Sequence, residues 1–402
     1  MRLSLAFIFC LGYLISSAQT ITISGSVTDR STGEPLPFAS VGIKGKPINS
    51  ITNLQGEFDF HLPAEYRNEI LVISMLGYPN FEAPVWSLIS DGVQSIQMEK
   101  VSTVLDEVIV ADSLMGSDIF RIALSRIDGN YPVEPFMLDG FYRDIKKVGG
   151  TYISLLEAAV KIYDEDYKEP RNKFKLRERV KLIEVRQSLG YENRFTAYFD
   201  QDNLLEDLLL QNNVRYHYLE TAPDITEKII REKDSYYDGH RIYVLSYNHE
   251  TTLKLFVDKD DYSIIHVEYE TGPTDEVIET RKGLYSKFDG LKKTIDFKKY
   301  NNKMYLNFIS STSMINWYDV NTHKLSFETE LHQQLLINKV RPNTAQKIGS
   351  TEKMKNYGLQ YQDLPYNKKF WDNYNVIKDT PLDRQVLVDL EKVAPLDKQF
   401  EN

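Results

Sequence analysis

His217 and Glu220 stand three apart in His217-Tyr218-Leu219-Glu220, a spacing at which two side chains can hold one zinc ion, with His323 and His332 downstream as a third ligand. Zinc so held would activate water for hydrolysis. Against that reading, seven histidines in a Glu-rich chain produce such a pair by chance, and the flanking residues alternate as strands do. We therefore read His217 as a solvated turn histidine, with no metal site and no catalytic residue. Asp258, Asp260 and Asp261 suggest calcium, but their loop lacks the glycine and terminal glutamate of a calcium-binding loop, so Asx-type bonding inside a turn is expected. Asp164, Glu165 and Asp166 read as a solvated turn at a strand end. The chain has no Gly-x-Ser-x-Gly, no phosphate-binding loop and no Cys/His dyad, because its one cysteine is Cys10. What remains is aromatic: among 26 Tyr and 19 Phe, the residues Tyr243, Tyr247, Tyr269, Tyr305 and Phe308 fall in expected strands. They either pack across strands or line a concave sheet for an acyl chain, a glycan or a peptide, and they are the candidate ligand-binding residues.

The elements that must position them are strands. Gly149-Gly150, Asp238-Gly239 and Asn301-Asn302 each separate two alternating runs, as two-residue hairpin loops do. Ile265, Val267 and Tyr269 oppose His266, Glu268 and Glu270, and Leu325, Phe327, Thr329 and Leu331 oppose Lys324, Ser326, Glu328 and Glu330. One face of this sheet is buried and the other wet. A helix is expected from Asp118 to about Asp128, capped by Ser117 and stopped by Gly129. A second covers Asn203 to Gln211 after an Asp202 cap, and a third follows Thr380-Pro381-Leu382-Asp383 through Leu387 and Leu390. The result is an α+β domain, a curved antiparallel sheet with helices on one side. Phe370 to Ile377, between Pro365 and Pro381, reads as a strap over the sheet or a docking segment for a partner, burying Trp371 either way.

Upstream, Ile21, Ile23, Gly25 and Val27 alternate as a strand, and turn clusters recur about every ten residues through Ser74, which is the signature of a β-sandwich. Before it, Arg2, the apolar run Leu3 to Ile15 and Ser16-Ser17-Ala18 read as a secretory signal over 1–18. That run is too short to span a bilayer, and Cys10 lies within it, preceded by Phe9, where lipid attachment is not expected. With 48 Lys+Arg against 58 Asp+Glu the chain carries a net charge of −10, which repels nucleic acid and anionic lipid surfaces. A chain of 402 residues, 42% hydrophobic, has material for two domains.

The pattern Gly25-x-Val27-x-Asp29, Gly33-x-Pro35-Leu36-x-x-Ala39-x-Val41, Thr52-Asn53-x-x-Gly56-x-Phe58-x-Phe60 and Ile73-Ser74-x-Leu76-Gly77-Tyr78 resembles the carboxypeptidase-regulatory-like domain. That resemblance implies a seven-stranded sandwich of transthyretin type, an accessory without chemistry of its own. Leu105 to Val110 is similar to the stretch that joins such a domain to the plug of TonB-dependent outer-membrane transporters, although the remaining length holds neither plug nor large barrel. A metallocarboxypeptidase would place the regulatory domain after a doubly wound catalytic one and have an Asn-Arg pair following its zinc ligands at a matching place, and this chain does neither. The second half resembles the half-barrel of periplasmic lipoprotein carriers, through Leu253-Lys254-Leu255-Phe256-Val257-Asp258 and Ile264-Ile265-His266-Val267-Glu268. The expectation is a mainly β protein: signal peptide 1–18, sandwich 19–110, and an α+β half-barrel-like domain 111–402 with a helical tail. It is read as a non-enzymatic, cofactor-free binding or scaffolding protein, secreted across the inner membrane and periplasmic or outer-membrane-associated. Its partner is an apolar or glycan ligand or another envelope protein, not nucleic acid, and its membrane contact is peripheral at most. A zinc hydrolase and an integral outer-membrane β-barrel are the alternatives.

Overall fold

The computed structural model describes residues 20–90, 92–101, 114–192, 194–199, 203–219, 223–354, 358–362, 364–378 and 383–401. The expected signal 1–18, the 105–110 segment, Glu220 and the Asp202 cap lie outside the described residues. Strand accounts for 47% and helix for 17%.

Seven strands, β1 (Thr20–Asp29), β2 (Ser40–Ile43), β3 (Asn49–Ile51), β4 (Glu57–Pro63), β5 (Ile70–Ser74), β6 (Phe81–Pro84) and β7 (Gln94–Met98), form two sheets in the orders β4-β1-β7 and β3-β2-β5-β6. Alternation does the sorting: Ile23 and Val27 of β1 meet Phe58 and Phe60 of β4 in a core that Val41, Leu71 and Ile73 close from the other sheet. Gly56 turns at φ +73°, and a Cβ there would stand 2.3 Å from the Val27 carbonyl oxygen, so no other residue fits.

The second assembly is one antiparallel sheet of 12 strands. It comprises β8 (Phe136–Val148), β9 (Thr151–Asp164), β10 (Arg179–Gln187), β11 (Ile230–Arg231), β12 (Ser235–Tyr237), β13 (His240–Asn248), β14 (Thr251–Asp258), β15 (Ile264–Thr271), β16 (Val277–Arg281), β17 (Leu284–Tyr300), β18 (Lys303–Asp319) and β19 (Leu325–Arg341). The order is β10-β9-β8-β19-β18-β17-β15-β14-β13-β11, with β12 on β13 and β16 on β17. The loops Gly149-Gly150, Asp238-Gly239 and Asn301-Asn302 all have positive φ at both residues, the backbone that matches strand twist. Lys282-Gly283, between β16 and β17, does the same.

One face of this sheet packs on the helices Gly116–Ser125 and Leu204–Leu210, whose Ile119, Phe120, Leu205 and Leu208 share a core with Leu156, Ala158 and Leu245. Asn203 caps the second helix by accepting from the Glu206 amide. The tail departs from the one-sided expectation. Its helices Asp383–Leu390 and Lys368–Trp371 pack on the opposite face, against Ile145 and Leu155 and against Phe141. That face also receives the sandwich: Phe38 stacks on Phe308 at 5.3 Å, Tyr300 donates to Asn49 Oδ1 at 2.6 Å, and the Val340 amide donates to the Pro47 carbonyl at 3.0 Å.

Candidate functional site

Registry across four strands brings Tyr247 opposite Leu253, Leu253 opposite Tyr269, and Tyr269 opposite Lys293. Side chains directly opposite in a sheet point the same way, so these four make one row on the helix-covered face. The neighbouring row, Leu245, Leu255, Val267 and Ile295, is completely buried. At the Tyr247 row the cover stops short and leaves a cavity of about 630 Å³ between the sheet and the residues that follow the helix Leu204–Leu210. Leu210, Leu219, Ile225, Leu253 and Leu291 wall it, and Phe174, 87% exposed, stands at its mouth. The volume falls within the ~300–1,000 Å³ of ordinary small-molecule sites.

One cation enters this apolar space. Lys293 is 8% exposed, and its Nζ donates to the Gln211 carbonyl at 3.0 Å and to Asn213 Oδ1. It also lies over the Tyr269 ring, 5.0 Å from the centroid. Burial alone pulls the ammonium down to about 8, since desolvation disfavours the charged form. Gln211 Oε1, in the same lining, is buried without a hydrogen-bond partner.

The five aromatic candidates divide. Tyr247 and Tyr269 line the cavity. Tyr243 stacks on Tyr262 at 5.9 Å with the Arg231 guanidinium 4.7 Å from its ring. Tyr305 meets Phe136 edge-on at 5.4 Å, and Phe308 lies on the opposite face under the sandwich. Lys293, Gln211, Leu291 and Phe174 were missed by sequence reasoning. A signal existed for one of them: Lys293 falls two residues from Leu291 and from Ile295, at inward parity, where a charge is out of place.

The solvated-turn readings need correction. His217 does turn, at φ +53°, but it is buried, with Nε2 3.0 Å from the Tyr167 carbonyl oxygen. Asp164 is buried too, gripped by Arg215 through Nε at 2.6 Å and Nη2 at 3.0 Å. A partner 51 positions away is what sequence patterning cannot supply. His332 is half-buried beside Thr312 Oγ1 at 2.7 Å, and desolvation followed by the charge of Arg143 pulls it down to about 4. His323 sits in an exposed turn, 3.4 Å from the Tyr285 hydroxyl.

Among the described residues, His240, Asp258 and Asp260 bring three ligand atoms within 4.8 Å of one another. Asp260 Oδ2 lies 2.9 Å from His240 Nδ1, and the Asp258 and Asp261 carboxylates are engaged elsewhere. Asp258 Oδ1 accepts the Asp260 amide at 2.8 Å, Asp261 Oδ1 the Ser263 amide at 2.9 Å, and Lys299 Nζ bonds Asp261 at 2.6 Å and Asp258 at 3.4 Å. The turn is Asx-bonded, and the Lys299 ammonium neutralises the charge a cation would.

Several known proteins are similar to parts of this chain. The TonB-dependent receptor SusC of Bacteroides thetaiotaomicron is 37% identical over 93 residues, 23% of this chain and 8% of the receptor. Among solved structures, a DUF1329 family protein from Desulfovibrio piger aligns at TM-score 0.21 and 9% identity, over 58% of this chain and 93% of that one. The MucA/MucB complex of Pseudomonas aeruginosa aligns at TM-score 0.19 and 10% identity, over 57% and 99%. A membrane-associated protein of unknown function from Bacteroides fragilis aligns at TM-score 0.16 and 9% identity, over 80% and 98%. Scores this low define no common fold. The sandwich is different, because residues 23–110 match a family model over the strands that form it. That segment is a CarboxypepD_reg-like domain, a non-catalytic fold of immunoglobulin-like type.

Proposed function

We propose that the protein is a non-enzymatic binding protein of the cell envelope, in which the sheet domain, residues 111–402, holds an apolar-chain ligand and the sandwich, residues 19–110, buttresses its far face. The observation that carries this reading is the 630 Å³ cavity walled by leucines and isoleucine at the end of the Tyr247 row. Its five aliphatic walls, Leu210, Leu219, Ile225, Leu253 and Leu291, favour an aliphatic chain over a glycan. The leader-like run Leu3 to Ile15 and the likeness of the sandwich to part of an outer-membrane receptor support a periplasmic or outer-membrane-associated location. Among the described residues no helix is long and apolar enough to cross a membrane. Against an integral barrel, β10 and β11 end the strand order without pairing to each other, and both faces of the sheet carry packed elements.

Native mass spectrometry of the protein purified from the envelope fraction without detergent tests the reading. A co-purifying ligand mass is expected, and Leu291→Trp, which fills the cavity from its wall, should abolish it. A clean apo mass that stays apo when medium-chain amphiphiles are added overturns it.

A further inference from the structure

The polar end of the cavity specifies more than an apolar chain. An ammonium has three N–H donors, and the described partners of Lys293 Nζ, the Gln211 carbonyl and Asn213 Oδ1, use two. Both are neutral. No carboxylate forms an ion pair with Lys293 among the described residues: Asp224 in the lining is bound to Lys228 at 2.7 Å, and Glu250 sits at the exposed β13–β14 turn. An interior cation without a counter-ion is costly.

We infer that the ligand is a single-chain organic acid, its aliphatic tail against Leu253, Leu219 and Leu291 and its carboxylate received by the third donor of Lys293. This rests on the cavity reading above and adds the chemistry of the head group. A carboxylate supplies both a counter-charge and an acceptor for the third N–H of Lys293, while a neutral alcohol supplies no charge. Charge complementarity here is worth more than at a surface, because solvent does not screen Lys293. The other titratable groups around it are Tyr218, Tyr247 and Tyr269, the Asp224–Lys228 pair and Glu250. Since burial pulls Lys293 down to about 8, affinity for the acid should fall as the pH rises through that value.

Titration calorimetry of decanoate and decanol into the full chain tests this. The wild type should bind decanoate at least about tenfold more tightly than decanol near pH 7, and lose that preference near pH 10, where Lys293 is neutral. Lys293→Met should abolish the preference for decanoate, and Lys293→Arg should keep it. Equal binding of decanoate and decanol by the wild type overturns the acid assignment and leaves the cavity reading standing. Binding of neither overturns both.

Discussion

Asn375 holds the backbone of His61 by both ends of its amide: Oδ1 accepts from the His61 amide at 2.7 Å, and Nδ2 donates to the His61 carbonyl at 2.9 Å. Its own carbonyl accepts from Asn338 Nδ2, in β19, at 2.7 Å. One tail residue thus copies a strand's bonding to the sandwich edge while fastened to the large sheet, tying three segments far apart in sequence. Asn375 is buried, so truncation leaves the His61 groups unpaired away from water. Asn375→Ala should therefore cost about 2–3 kcal/mol in denaturant unfolding. A loss under about 0.5 kcal/mol, the usual range for an unremarkable surface change, would mean the staple is incidental.

Glu157 anchors the same tail from beneath. Burial pushes its carboxyl up, but Arg143 and Arg186 more than offset this and hold it below the usual range. Arg143 Nη2 also donates to the Ile377 carbonyl at 3.1 Å, and Arg186 lies 4.5 Å from the Trp371 ring centroid and 4.8 Å from that of Phe400. Removing the acid takes its carboxylate from the buried Arg143 and the partly buried Arg186, a loss of about 3–5 kcal/mol. Glu157→Gln should lower the unfolding midpoint and raise quenching of Trp371 by acrylamide. Trp86 is already exposed and Trp317 buried elsewhere, so both give a constant background. The stabilisation by Glu157 should be present above the unfolded carboxyl pKa and lost as the pH falls through its depressed folded value. A variant with unchanged midpoint and unchanged quenching would sink this account.

Local rules were readable from residues, and long-range pairings were not. Gly149-Gly150, Asp238-Gly239 and Asn301-Asn302 announce their loops because those residue types tolerate positive φ, and alternation places Tyr247 and Tyr269 on one face. Lys282-Gly283 adopts the same turn with a residue that gives no such warning. Asp164 and His217 look like turn residues because their own neighbours are polar; Arg215 and Tyr167, which bury them, are brought by the fold. For the same reason Phe308 passes for a lining residue when its partner is Phe38 of the other domain. The cavity lies where registry sets Lys293 against Tyr269, and registry is a property of paired strands rather than of either one.

Glu178 gives the fold a pH dependence of its own. It is buried, accepts the Tyr216 hydroxyl at 2.5 Å, and is pushed up to about 7, first by burial and then by the nearby Asp164 charge, against the pull of Arg215. An unfolded glutamate titrates near 4.5. The folded state therefore holds a proton that the unfolded state has lost, and stability should decline as the pH rises from about 4.5 to about 7. Glu178→Gln keeps the shape and the acceptor for Tyr216 but cannot ionise. Relative to wild type it should gain stability across that interval, by up to about 3 kcal/mol above neutrality, with the two proteins alike in acid. Other titrating groups, including His266, held up near 10 by Asp296 and Glu268 despite its burial, are common to both proteins and cancel in the difference. Melts of the pair across this range decide the matter. Parallel curves would mean that Glu178 is ionised throughout, with Arg215 as its effective counter-ion.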